Sequence, residues 1–115
     1  MSDSGRALRA YAVAAAARDP RAQEAEVFLY ANGVLRRARA GDARARRRAL
    51  VDNRRLWGAV IDLLHDPQNA LPAPLRAAII SVGLAVQREM QHANPDFDFL
   101  IAVNENVAAG LTRAG

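Results

Sequence analysis

The chain has 115 residues, is 51% apolar, carries a formal charge of +4 and contains no cysteine. That length supports one core and not two, so a single domain spanning 1–115 is expected. The absence of thiols excludes a disulfide framework or thiolate metal site and suits the reducing cytosol.

Alanine and leucine supply much of the apolar content while β-branched residues are sparse, which favours helix over sheet. Prolines and caps then divide the chain into four or five helices. A first segment, Ser4 to Ala17, places Leu8, Tyr11, Ala12 and Ala15 on one weakly apolar face. Its alanine run from Ala10 to Ala17 is flanked by Arg9 and Asp3 and is too poor in large apolar residues for a signal peptide. Asp19 and Pro20 supply a cap and a first-turn proline, so a second helix starts there with Val27, Phe28, Ala31, Val34, Leu35 and Ala38 inward. Asn32-Gly33 lies within that stripe and is read as a close helix contact, not a hairpin turn.

Gly41 ends the second helix and Asp42 caps the third, which runs to about Leu64 with Leu50, Asn53, Trp57, Val60, Ile61 and Leu64 on one face. His65 to Ala70 forms a turn around Asp66-Pro67 and Asn69. Leu71-Pro72-Ala73-Pro74 opens a fourth helix with Leu75, Ala78, Ile79, Val82, Val86 and Met90 inward. Asn94 and Pro95 repeat the cap-and-proline device and start a final helix, whose inner face is Phe97, Leu100, Ile101, Asn104, Ala108 and Leu111. Gly110 is placed for a left-handed helix end. The fold class is therefore all-α, a small bundle of four to five helices.

Catalytic patterns are missing from the sequence. Ser81 lies inside a helix without a glycine elbow, and Ser2 and Ser4 are the only other serines. His65 and His92 fall near helix ends, where imidazoles meet terminal carbonyls, and neither belongs to a metal-binding pair. Gly83 and Gly110 are isolated, so no phosphate cradle exists. Asp62 and Asp66 share a face near a helix end as an exposed pair. The expectation is a binding protein, not an enzyme, with no cofactor and no metal. No window is long and apolar enough for membrane insertion.

All sixteen basic residues are arginine. Between Arg36 and Arg55 nine arginines face only Asp42 and Asp52, whereas three arginines face six acids from Leu56 onward. Seven of them, Arg36, Arg37, Arg39, Arg44, Arg46, Arg47 and Arg48, converge on the corner between the second and third helices. Those at the start of the third helix oppose its dipole. The corner is either a solvated basic face or a patch for an acidic protein or RNA, and no interleaved aromatic favours base stacking. Asn53-Arg54-Arg55-Leu56-Trp57 combines an aromatic anchor with a guanidinium pair, residue types favoured at protein interfaces.

These pieces together resemble the FlaF family of flagellar biosynthesis proteins of alphaproteobacteria. The resemblance is carried by Tyr11-Ala12, Asp19-Pro20-Arg21, Glu24-Ala25, Asn53 to Trp57, Asp66 to Pro72, Leu75-Arg76, Ser81 to Leu84 and Ile101 to Leu111, in that order across nearly the whole chain. It implies a cytoplasmic, non-enzymatic protein without a cofactor. Such a protein binds flagellin and promotes its production or export, alongside a FlbT-type translational regulator. The arginine-rich stretch Ala43 to Ala49 departs from the family pattern. It leaves open a partner preference peculiar to this copy, or a paralogue with a different flagellin client; the alternative function is an RNA-associated, post-transcriptional regulator of flagellin synthesis acting through Arg36 to Arg48.

A physical mechanism stands beside that resemblance. An amphipathic flagellin helix fits a groove between bundle helices. Trp57 is then the groove floor or an ordinary core residue, and Val60, Ile61 and Leu64, continuing its face, favour core. Arg54 and Arg55 flank that face as candidate client contacts, joined by Arg36, Arg37 and Arg47 from the basic corner. Asn53 and Asn104 interrupt apolar stripes and are expected to form a polar lock between the third and fifth helices.

Overall fold

The computed structural model describes residues 20–114, of which 22–113 have described side-chain environments. Among the described residues there are four helices: α1 (Pro20–Arg39), α2 (Ala43–His65), α3 (Ala73–Met90) and α4 (Phe97–Ala114). No strand occurs among the described residues, and the chain is all-α. The expected helix at Ser4 to Ala17 and the Asp19 cap lie outside the described residues.

Helix boundaries follow local chemistry. The Asp42 carboxylate accepts the Ala45 N–H at 2.8 Å, satisfying an amide that the first turn of α2 leaves without a helical partner. Asn69 holds the following turn closed, donating to the Leu63 carbonyl at 3.1 Å and accepting the Leu71 N–H at 3.0 Å. Pro72 caps α3 and Pro74 sits in its first turn, where a missing N–H costs nothing. The cap of α4 is Asp96, whose carboxylate accepts the Phe99 N–H at 3.1 Å. The expected Asn94 cap is thus corrected by two residues, and Asn94 instead accepts a hydrogen bond from Arg46. Gly110 does not end α4, which continues to Ala114, and no described glycine has positive φ.

The most extensive packing is between α1 and α4, with α2 against α1 and α3 against α2. Arg39 near the end of α1 pairs with Asp98 at the start of α4, and Asn32 further back on α1 bonds to Ile101 further along α4, so the two helices run antiparallel. Phe28, Leu35, Trp57, Val86 and Leu100 are fully enclosed and form the core's centre. Two inward assignments are corrected: Val27 is 49% exposed and Ala78 is exposed. The buried line of α1 runs through Ala25, Phe28, Ala31, Asn32, Leu35 and Ala38, leaving Val27 at its margin.

The close helix contact is also elsewhere than at Gly33. A Cβ on Gly33 meets only the Arg37 guanidinium of its own helix, at 3.4 Å. At Gly83 a Cβ would lie 2.8 Å from Trp57 Cε3 and 3.0 Å from Ile61 Cδ1, so α3 approaches the indole only because that position has no side chain. Phe28 meets the indole from α1 edge-on, with ring centroids 5.3 Å apart.

Candidate partner-binding surfaces

The Asn53 to Trp57 segment divides by helical position into buried and exposed parts. Trp57 has no exposed surface and is a core residue, not a client contact. Its indole N–H donates to Asn104 Oδ1 at 2.9 Å. Asn104 Nδ2 in turn donates to Asn53 Oδ1 at 2.9 Å, and Asn53 Nδ2 reaches Met90 Sδ at 3.4 Å, a weaker acceptor. The lock expected between Asn53 and Asn104 is therefore present, and it extends to Trp57 and to α3. A second buried amide, Asn32, ties α1 to α4 by donating to the Ile101 carbonyl at 3.0 Å.

Arg54 and Arg55 are exposed and make no hydrogen bond or ion pair among the described residues. Arg55 lies four residues before Ala59 and seven after Arg48, so these three share the outer face of α2.

The basic corner is partly consumed by the fold. Arg36 pairs with Glu105 and Arg39 with Asp98 across the α1–α4 seam. Arg46 donates to the Arg39 carbonyl at 2.6 Å and to Asn94 Oδ1 at 3.3 Å, and its guanidinium lies 4.4 Å from the centre of the Phe97 ring. That cation–π contact explains an arginine in the first turn of a helix whose dipole opposes it. Arg37, Arg44 and Arg48 remain around a shallow depression with Val34, Ala38, Asp42 and Ala45. Arg47 is exposed beside them. The seven arginines thus split into three structural ones and four that present charge to solvent.

A third surface is apolar and lies to one side of the inward-facing stripe of α2. At the other end of α2 a groove of about 240 Å³ opens between α1, α2 and the end of α4, with Leu71 and Ile79 of the α3 side also lining it. Val27 and Phe28 form one side, Leu56, Ala59, Val60 and Leu63 another, and Val107 and Leu111 a third. Leu63 is 61% exposed there. The signal that marks it is a second apolar line on α2, Leu56, Ala59 and Leu63, offset from the core line and interleaved with it.

Among the described residues no group of three His, Asp or Glu side chains is placed to hold a metal ion. No helix among them is long and apolar enough to cross a membrane. His92 contacts Glu89 at 3.1 Å, and the Glu89 carboxylate also accepts the Asp96 N–H at 2.9 Å. Those contacts, the Asp96 amide foremost, hold the Glu89 carboxyl below the ordinary glutamate range.

Comparison with protein-family models gives a match to "Flagellar protein FlaF" over residues 7–111. Searches of curated proteins and of solved structures gave no match.

Proposed function

Because the chain belongs to the FlaF family of flagellar proteins, we propose that it binds flagellin and promotes its production or export, as a chaperone or regulator without catalytic activity. The observation that carries this reading is the apolar groove, which offers aliphatic side chains from all four described helices to an incoming amphipathic helix. Flagellin polymerises through amphipathic terminal helices, and a free one exposes a face that needs cover until export. Val27 and Leu63 supply the accessible apolar contact, and Arg55, one turn before Ala59, stands where it meets acidic side chains of the client. The site of action is the cytoplasm, where flagellin is made, with a FlbT-type regulator as a further partner in the same process.

Co-expression with the host's flagellin followed by size-exclusion chromatography tests the reading. A co-eluting complex is expected, and it is lost when Val27→Asp and Leu63→Asp are combined while helical content is retained. Flagellin that elutes separately from the unaltered protein would sink the proposed function. A complex indifferent to both substitutions would move the site away from the groove.

One observation favours a second reading. Arg37, Arg44, Arg47 and Arg48 remain without hydrogen-bond or ion-pair partners among the described residues, as an RNA-associated regulator would require. Binding to flagellin message would then weaken steeply between low and moderate salt and vanish on reversing those four charges. Salt-independent or absent binding would remove it.

A further inference from the structure

We propose that the apolar groove and the basic depression are the two ends of one client site along the α1–α2 seam, and that this site takes an amphipathic helix whose acidic side chains are gathered at one end. Only the client's identity rests on the function proposed above; the shape and charge of the seam are independent of it.

Helical spacing puts both depressions on the same side of the molecule. Residues 40–42 join α1 directly to α2, and the two helices pack together. On α1, Val27 lines the groove and Val34 the depression, seven positions or about two turns apart, so they share a face. On α2, Ala45 and Arg48 line the depression, and Leu56 and Ala59, each eleven positions or about three turns later, line the groove. Leu63 continues the same line. Ala45 to Leu63 covers about 27 Å of α2, the length of a client helix of about eighteen residues.

Tyr30 stands between the two depressions, three positions after Val27 and four before Val34. It lines neither of them. Its side chain is 74% exposed, and tyrosine is a residue type enriched at protein interfaces. An exposed aromatic in the gap makes the two surfaces continuous.

Charge is graded along the seam. At the depression Arg37, Arg44 and Arg48 have no hydrogen-bond or ion-pair partner among the described residues, and the Asp42 carboxylate beside them is engaged as the α2 cap. The positive end of the α2 dipole adds to their field. Arg46 offsets that repulsion by its contact with Phe97, whereas Arg44 and Arg48 have no such contact. Farther along, Arg55 on the outer margin of α2 is matched by Asp52 before it and Asp62 after it. No arginine lines the groove itself, and Glu24, which does line it, already has a partner. A helix is therefore drawn by its acidic end to the start of α2 and by its apolar line to the end, which fixes the direction in which it lies. Val34, Ala38 and Ala45 give the depression an apolar floor, which suits a helix better than a phosphate backbone.

Two synthetic peptides of about eighteen residues, titrated with the full chain and followed by fluorescence anisotropy, test the site. Both carry the same apolar line and the same number of glutamates, gathered at one end in the first peptide and spread along the polar face in the second. At about 0.15 M salt, where exposed charges more than about 8 Å apart are largely screened, the first should bind several-fold more tightly. Arg44→Glu combined with Arg48→Glu should weaken it by about tenfold. Arg47→Glu combined with Arg54→Glu alters net charge equally but on the side of α2 opposite Ala45, and should leave the affinity nearly unchanged. Tyr30→Ala should weaken binding several-fold. Circular dichroism checks that each variant keeps its helical content.

Equal affinity for the two peptides, or equal losses from the two arginine pairs, would reduce the basic end to unspecific attraction and overturn the proposal. A Tyr30→Ala chain that binds the first peptide like the parent would make the depressions two separate surfaces and also overturn it. Displacement of that peptide by an RNA oligonucleotide would assign the basic end to RNA, with the same consequence. Co-expressed flagellin separates the client from the site. If flagellin does not bind while the peptides follow the expected order, the flagellin reading fails and the seam stands. If flagellin binds the parent and every variant alike, the flagellin reading stands and the seam fails.

Discussion

Asn104 shows how one amide coordinates three helices: it accepts from Trp57, donates to Asn53, and through Asn53 reaches Met90. Such a group is costly to remove because its partners stay buried. Asn104→Leu leaves the indole N–H and the Asn53 carbonyl without partners, each worth roughly 1–3 kcal/mol when orphaned. Urea unfolding should therefore show a loss larger than that of a surface substitution such as Arg54→Ala. A variant as stable as the parent would mean that the lock contributes nothing. Gly83 makes the opposite point, since Gly→Ala inside a helix normally stabilises by about 1 kcal/mol. Here the new methyl meets Trp57 at 2.8 Å, and the indole is held by Phe28 and by Asn104. Overpacking costs about 1–3 kcal/mol, so Gly83→Ala is expected to lower the unfolding midpoint despite its helix propensity.

At the scale of elements, the α3–α4 connection depends on Glu89, which joins the end of α3 to the Asp96 amide at the α4 cap. Its carboxyl is held below the ordinary glutamate range by that amide first, with His92 contributing. A depressed folded-state pKa stabilises fully above the unfolded-state pKa, and this contribution is lost as pH falls through the folded value. The stability gap between the parent and Glu89→Gln should accordingly be constant near neutrality and close at acidic pH, as read from urea midpoints across a pH series. A gap that widens on acidification would contradict the assignment. Gly110 and Asn94 illustrate why helix ends resist reading from sequence. Glycine at a plausible stop stays helical when the chain has apolar contacts still to make, and Leu111 beyond it is buried.

For the whole molecule, the division between buried apolar surface and surface charge decides what holds the bundle. The Arg36–Glu105 and Arg39–Asp98 pairs lie on the longest seam, but their side chains are 48–74% exposed, and such pairs contribute at most about 1 kcal/mol each. Raising sodium chloride from 0.1 M to about 1 M, which shortens the screening length to about 3 Å, should shift stability little. Phe28→Ala should cost roughly 3–5 kcal/mol. A large salt effect with a mild Phe28 effect would reverse that ordering. The same division separates two surfaces along α2, arginines around its start and an apolar groove at its end.

The sequence by itself determined the helical class, most helix starts, the Asn53–Asn104 pairing and the family, because caps, prolines, periodic stripes and interrupting amides are local signals written in the chain. It also placed Trp57 in the core by the aliphatics that continue its face. Only the tertiary structure decided which arginines are free. Whether Arg46 covers the Phe97 ring or Arg36 meets Glu105 depends on helices distant in sequence. The groove was hidden for the same reason: Val27 and Leu63 belong to apolar lines like any other until the crossing of α1, α2 and α4 leaves their flanks uncovered. Periodicity states which face of a helix is apolar, and packing alone states how much of that face its neighbours reach.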